Sequence, residues 1–252
     1  MTNLPIALQL YTVRDQTALD FPGTVRRVAE MGYAGVELSG DGGLSAQEMA
    51  ALLAETGLEL AGNHVPLDRM TSSLDEVIAF NQAIGATYVG VPFLGQEHRS
   101  EAGFRAAAEA MNRAGAALRD AGLALYYHNH AFEFEPLGGT TGMEILLGET
   151  DPELVGFECD VYWVQYGGQD PAAFIEANAG RFPLIHLKDM VGEGDQRTFA
   201  EVGEGTLDFA AIFGAAESQG AAWYIVEQDI CKGSSLESAK LSLENLKRWG
   251  KA

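Results

Sequence analysis

FPLIHLKD, residues 182–189, is the stretch whose reading decides the fold. Side chains on a strand alternate between the two faces of a sheet. Ile185 and Leu187 therefore share one face, while His186 and Lys188 share the other. The apolar face suits contact with covering helices, which turns the histidine and the lysine the opposite way. Seven further apolar runs punctuate the chain: IALQLY (6–11), GVELS (35–39), LELAGNHV (58–65), YVGVP (88–92), LALYYHNH (123–130), LVGFECDV (154–161) and WYIVEQD (223–229). By the same parity Ile6, Leu8 and Leu10 oppose Gln9 and Tyr11. Val36 and Leu38 oppose Glu37, and Tyr224 and Val226 oppose Glu227 and Asp229. Ala7, Gly35, Gly90 and Gly156 are expected to fill part of the lower interior.

Helix-like segments separate the runs, and one follows the last. PGTVRRVAEMG, SAQEMAALLAETG and SLDEVIAFNQAIG each close on glycine, the usual stop just past a last turn. Ser45 and either Ser73 or Asp75 are the expected N-caps. FRAAAEAMNRAGAALRDAG is Ala-rich, and LESAKLSLENLKRWG carries a stripe of Leu236, Leu243 and Leu246. Strand then helix, eight times over, is the pattern of an α/β chain folded as a single (β/α)8 TIM barrel, here spanning 1–252. A doubly wound open sheet is the alternative, but LYTVRDQ after the first run lacks the Gly-rich fingerprint of that fold.

Composition narrows the function. With 252 residues, 47% hydrophobic, the chain can build one sizeable core. No apolar run approaches the roughly 18 residues of a membrane span. The opening MTNLPIALQLYTVRDQ lacks the marks of a signal peptide and reads as a first strand. Cys159 and Cys231 form no disulfide framework, so a cytoplasmic setting is expected. The net charge of -20, with scattered Lys and Arg, opposes a nucleic-acid groove.

Active sites of (β/α)8 barrels sit at the C-terminal rim. There His128, Asp160, His186 and Glu227 end runs five, six, seven and eight. One histidine on an apolar strand is ordinarily a hydrogen-bonded core residue. Four ionisable groups on consecutive strands are costly to bury together without an ion or strong pairing. Two imidazoles with two carboxylates suit a divalent ion, and imidazole favours Mn, Co, Zn or Fe over Ca or Mg.

The stretches LQLYTVRD, GYAGVELSG, GNHVP, YHNHAFEFEPL, FECDVYWVQYGG, LIHLKDM, VGEGTLDF and IVEQD together resemble the sugar phosphate isomerase/epimerase superfamily, with its xylose isomerase-like TIM barrel. Ketose 3-epimerases, inosose isomerases and dehydratases share that barrel, as does endonuclease IV. The resemblance implies metal ligation by Glu, Asp, His and Glu from strands five to eight. Asp160, His186 and Glu227 match the last three. Where the family often has a Glu-Asn-His triplet, this chain has His128-Asn129-His130. Either His128 replaces the glutamate or Glu133 reaches back to the metal, and His128 is preferred.

The implied activity is a divalent-metal-dependent isomerase, epimerase or dehydratase acting on a small sugar, keto-sugar or inosose. Glu227 would abstract a proton next to a carbonyl, with His128, His130 or Glu133 as its conjugate partner. Glu37 and His64 match positions that touch substrate, although Glu37 could instead pair with Arg14 and His64 could cap the loop before Pro66. Lys188 would bind a substrate oxygen or stabilise an enolate, or else form a rim salt bridge with Glu158 or Asp189. Trp163 and Phe132 are candidates for an apolar wall against a sugar ring, or simple packing. The Gly203-Glu204-Gly205 turn invites a phosphate reading, which acidic neighbours oppose. An abasic-site endonuclease fits poorly with five histidines and the acidic charge. A non-catalytic or regulatory sugar-binding barrel stays open because position 128 departs from the family pattern. The expected partners are a small carbohydrate, with no nucleic acid and no membrane, and relatives' habits admit a homodimer or homotetramer.

Overall fold

The computed structural model describes residues 4–251, so Met1–Asn3 and Ala252, at the ends of the expected span, lie outside it. Eight parallel strands close into a barrel: β1 Ile6–Gln9, β2 Gly35–Ser39, β3 Glu59–His64, β4 Tyr88–Val91, β5 Ala124–His128, β6 Val155–Asp160, β7 Leu184–Leu187 and β8 Trp223–Val226. Each pairs with its neighbours in sequence, and β8 returns to β1 through Ile6↔Tyr224 and Leu8↔Val226. That last pairing excludes the open sheet. A helix follows every strand: Phe21–Met31, Ala46–Thr56, Leu74–Ala83, Glu101–Asp120, Gly142–Glu149, Pro171–Ala177, Phe209–Ser218 and Ser235–Arg248.

Helix boundaries follow the local chemistry. Gly32, Gly57 and Gly85 take φ of 95°, 70° and 74° just past their helices, where a Cβ would be strained. Ser45 accepts from the Glu48 amide and Glu48 answers to the Ser45 amide, a reciprocal cap. Ser73 caps Leu74–Ala83 with no side-chain bond, and Asp75 sits in its first turn, where its charge suits the helix dipole. Among the described residues no helix is long and apolar enough to cross a membrane.

Strand parity divides the interior into two layers. Ile6, Leu8, Val36, Leu38, Val89, Val91, Ile185, Leu187, Tyr224 and Val226 pack outward with the helices. Ala7, Ala61, Tyr126, Leu184, Trp223 and Ile225 form the small cluster inside the barrel. The interior glycines make room rather than fill space. A Cβ on Gly90 would lie 2.1 Å from the Tyr126 ring, and one on Gly35 would lie 3.0 Å from Trp223. Between β2 and β3 the register slips: Val36 pairs with Leu60, but Glu37 pairs with Gly62. The extra residue, Ala61, re-phases β3 so that Gly62 and His64 both look inward. Gly62 thereby leaves space for the Glu37 carboxylate and the Tyr126 hydroxyl, each 2.5 Å from where its Cβ would stand.

The Gly203-Glu204-Gly205 turn has a structural role. The buried Asp189 carboxylate accepts the amides of Met190 (2.7 Å), Gly203 (3.0 Å), Gly205 (2.9 Å) and Leu207 (3.2 Å). The N–H groups that a phosphate would use are bound to the chain's own carboxylate.

Candidate metal centre

The C-terminal ends of β5 to β8 bring His128, Asp160, His186 and Glu227 to one point, all buried. One donor atom from each lies within 4.8 Å of the other three. Donors sharing one ion at about 2.1 Å can be at most about 4.2 Å apart, so a closure of a few tenths of an ångström completes the set. Asp160 Oδ2 stands 3.4 Å from His128 Nε2 and 3.8 Å from His186 Nδ1. Glu227 Oε2 stands 3.1 Å from His186 Nδ1 and 3.9 Å from His128 Nε2. The donor chemistry fits a divalent transition ion.

Neighbouring groups fix how each ligand presents itself. His128 Nδ1 lies 3.1 Å from the Pro92 carbonyl, which accepts a hydrogen bond from it and leaves Nε2 to face the centre. His186 Nε2 lies 2.7 Å from Glu37 Oε2, which likewise leaves Nδ1 for the centre. Asp160 uses its other oxygen, Oδ1, to cap the helix Val161–Tyr166 at the Trp163 amide (3.0 Å). Asn129 clasps the Asp160 backbone, accepting its N–H at 3.0 Å and reaching toward its carbonyl at 3.4 Å. The middle residue of the His-Asn-His triplet thus ties β5 to β6.

Beneath the centre lies a second polar layer. Glu37 is sealed from solvent. Its carboxylate accepts from Gln9 Nε2 (2.6 Å) and from the Tyr126 hydroxyl. His64 Nε2 lies 3.1 Å from Glu158 Oε2, and Glu158 lies 3.1 Å from His186 Nε2. Glu37, His64, Glu158 and His186 form a second group of donors within 4.8 Å of one another. Glu37 makes no pair with Arg14, whose guanidinium instead reaches the Tyr11 and Asp229 carbonyls. His64 bonds Gln9 and Glu158 rather than the loop before Pro66.

Lys188 is buried with its Nζ 2.8 Å from Asp160, 2.6 Å from Glu227 and 2.6 Å from Asp229. The expected alternatives, Glu158 or Asp189, are not its partners. Two like charges about 4 Å apart repel by about 4 kcal/mol at the effective dielectric of such a site. Three carboxylates this close therefore require cations. Burial alone would raise the Asp160 and Glu227 carboxyls, but the Lys188 ammonium and the nearby imidazoles outweigh it and hold both well below the usual range. Burial opposes charge on His186 and His128, yet the surrounding carboxylates, Glu158 foremost for His186 and Asp160 for His128, raise both.

The remaining expected residues fall into two groups. His130 joins an aromatic wall: its ring is 4.8 Å from His128, 5.2 Å from Phe93, 5.4 Å from Trp163 and 5.8 Å from Phe132. Burial, then the neighbouring His128 and Lys188, push its pKa well down. Trp163 also lies 5.5 Å from Lys188 Nζ, so the wall stands against the centre. Glu133 is carried elsewhere. Its carboxylate accepts from the Tyr127 hydroxyl and the His130 amide (2.9 Å), on the outward side of β5. Burial pushes its pKa up to about 7. The fifth-strand residue that joins the group of converging donors is His128, and Glu133 lies outside that group.

Two imidazoles and two carboxylates gather at the mouth of a closed parallel (β/α)8 barrel, a group that could hold a metal ion. The chain belongs to the xylose isomerase-like TIM barrel family, whose profile matches residues 25–249. It is 28% identical over 272 residues to an inosose dehydratase of Geobacillus kaustophilus (strain HTA426), covering 88% of this chain and 84% of that protein. A match to an inosose dehydratase of Clostridium beijerinckii, also 28% identical, spans 54% of this chain and 50% of the relative. The crystal structure of a sugar phosphate isomerase/epimerase from Parabacteroides distasonis ATCC 8503 superposes with a TM-score of 0.85 at 26% identity, over 98% of this chain and 94% of that one. L-ribulose 3-epimerase shares the fold, with a TM-score of 0.71 at 17% identity over 98% and 97% of the two chains. The chain is an enzyme of the isomerase/epimerase type, a type that includes dehydratases.

Proposed function

We propose that this chain is a divalent-metal-dependent enzyme that abstracts a proton next to the carbonyl of a small keto-sugar or inosose, with dehydration as the favoured outcome. The observation that carries the reading is the convergence of His128, Asp160, His186 and Glu227 donors within 4.8 Å at the barrel mouth. A bound divalent ion, whether Mn, Co, Zn or Fe, would supply Lewis-acid polarisation of a carbonyl oxygen.

The protein groups divide the remaining work. The Glu227 carboxylate, held ionised beside Lys188 and His186, is the base for the carbon-bound proton. Lys188 is the acid for a departing hydroxyl, since its ammonium lies beside Glu227 and carries a proton to give. The wall of His130, Trp163 and Phe93 would flank one face of the ring and exclude water. Glu37 and Glu158 hold His186 from below, with His64 behind Glu158, and so orient the centre. Glu133 is assigned a structural role.

Dehydration is preferred over epimerisation for a chemical reason. Epimerisation needs matched proton carriers on both faces of one carbon. Here an imidazole stands at the fifth-strand position where a second carboxylate would serve, and a lysine neighbours the remaining base. The inosose dehydratase relative, similar over most of both chains, supports the same choice. The test is incubation of the Mn2+-loaded enzyme with an inosose and with a ketose panel in D2O. Loss of water to give a conjugated enone is expected with inosose. Deuterium exchange into a ketose without water loss would point to epimerisation, and no exchange with any substrate would point to a binding barrel.

A further inference from the structure

Lys188 poses a problem that the proposed chemistry leaves unsolved. Its ammonium contacts Asp160 Oδ2 and Glu227 Oε2, the same two oxygens that face the imidazoles in the ligand set. An ion bound to those oxygens at about 2.1 Å would lie within about 5 Å of the ammonium, close enough for strong repulsion. A third partner stands outside the ligand set. Asp229 Oδ2 is 2.6 Å from the ammonium, on a side chain 24% exposed at the rim. The Asp229 backbone is anchored there by Arg14, which donates to its carbonyl. Trp163 and Phe199 lie 5.5 Å and 5.7 Å from Nζ, giving the cation aromatic flanks.

Resting on the metal-centre reading above, we propose that Lys188 is a built-in competitor for the divalent ion, holding Asp160 and Glu227 until the ion displaces it, and that Asp229 is the positioning residue that draws the ammonium aside. A short swing toward Asp229 frees both ligand oxygens while keeping a carboxylate partner for the lysine. The same swing leaves a proton donor beside the base.

The test is the Mn2+ dissociation constant of the chelator-stripped protein, for the wild type, Lys188→Met, Asp229→Asn and the double variant. Lys188→Met is expected to bind about tenfold more tightly, because a competing charge has gone. Asp229→Asn is expected to bind about tenfold more weakly, the size usual for partners behind a ligand. In the Lys188→Met background, Asp229→Asn should have no further effect, because Asp229 acts through the lysine. Stripped Lys188→Met should also melt below the stripped wild type, with the difference vanishing once Mn2+ is bound. Lys188→Gln serves as a second variant should the methionine impair folding.

Equal or weaker Mn2+ binding by both lysine variants would overturn the competitor role. Additive effects in the double variant would reduce Asp229 to a plain surface charge and overturn its positioning role. If no variant takes it up, the metal-centre reading itself fails.

Discussion

The Nε2 of His186 lies 2.7 Å from Oε2 of Glu37, so the histidine that faces the centre is steered from the barrel floor by a carboxylate two strands beyond the barrel's closure. That contact selects the tautomer in which Nδ1 carries the lone pair. Glu37→Gln is expected to weaken divalent-ion binding by about tenfold while leaving the fold intact, as judged by chelator competition and circular dichroism. Unchanged affinity would remove Glu37 from the support of the centre.

The His128 and His186 imidazoles are both raised by nearby carboxylates, so each favours its proton at neutral pH. An ion can bind only after those protons leave. Affinity should therefore rise with pH across the neutral range, and binding should release protons measurable by calorimetry in buffers of different ionisation enthalpy. In chelator-stripped protein the sign reverses. A raised histidine pKa stabilises the fold below the ordinary histidine pKa, and that stability is lost as pH climbs through the raised value. Stripped protein should melt lower at alkaline pH, while the thermal gain on adding Mn2+ grows.

Glu227→Gln is expected to retain most of its metal but to lose turnover by on the order of a thousandfold, the range for removing a general base. Wild-type rates in that variant would show that the base is another residue.

Glu133→Gln separates the two candidates for the fifth-strand ligand. Its side chain is tied to Tyr127 and to the His130 amide, so the amide variant should keep full metal content. His128→Ala should lose metal. The opposite pattern would move the ligand from His128 to Glu133.

Asp189→Ala should unfold more easily by about 3 kcal/mol, because four amides, one in a buried bond and three in partly buried ones, lose their acceptor. Chemical denaturation of the stripped and loaded protein measures it, and a change within error would mean that the turn does not depend on this carboxylate.

Much of this was legible from the run FPLIHLKD and its seven companions. Period-two alternation put Ile185 outward and His186 inward, and glycine stops bounded the helices. The same parity places Glu158 with Asp160 and Asp229 with Glu227, a signal sufficient to have raised both as site residues. Depth was not legible. The reach of Glu37 is one case: its long side chain extends inward to His186 because Gly62 and Gly90 leave space for it and Tyr126. The bulge at Ala61 that turns His64 inward depends on pairing between strands, which one strand's sequence does not display. The position of Glu133 was equally illegible: a tight turn after His130 carries it to the outward Tyr127.

The most direct measurement is divalent-metal content by elemental analysis and native mass spectrometry of the wild type beside His186→Ala and Asp160→Asn. A single ion per chain in the wild type, lost from both variants, is the expected result. A wild type that takes up no ion from excess Mn2+, Co2+, Zn2+ or Fe2+, or variants that keep it fully, would contradict the assignment of the barrel mouth as a metal centre.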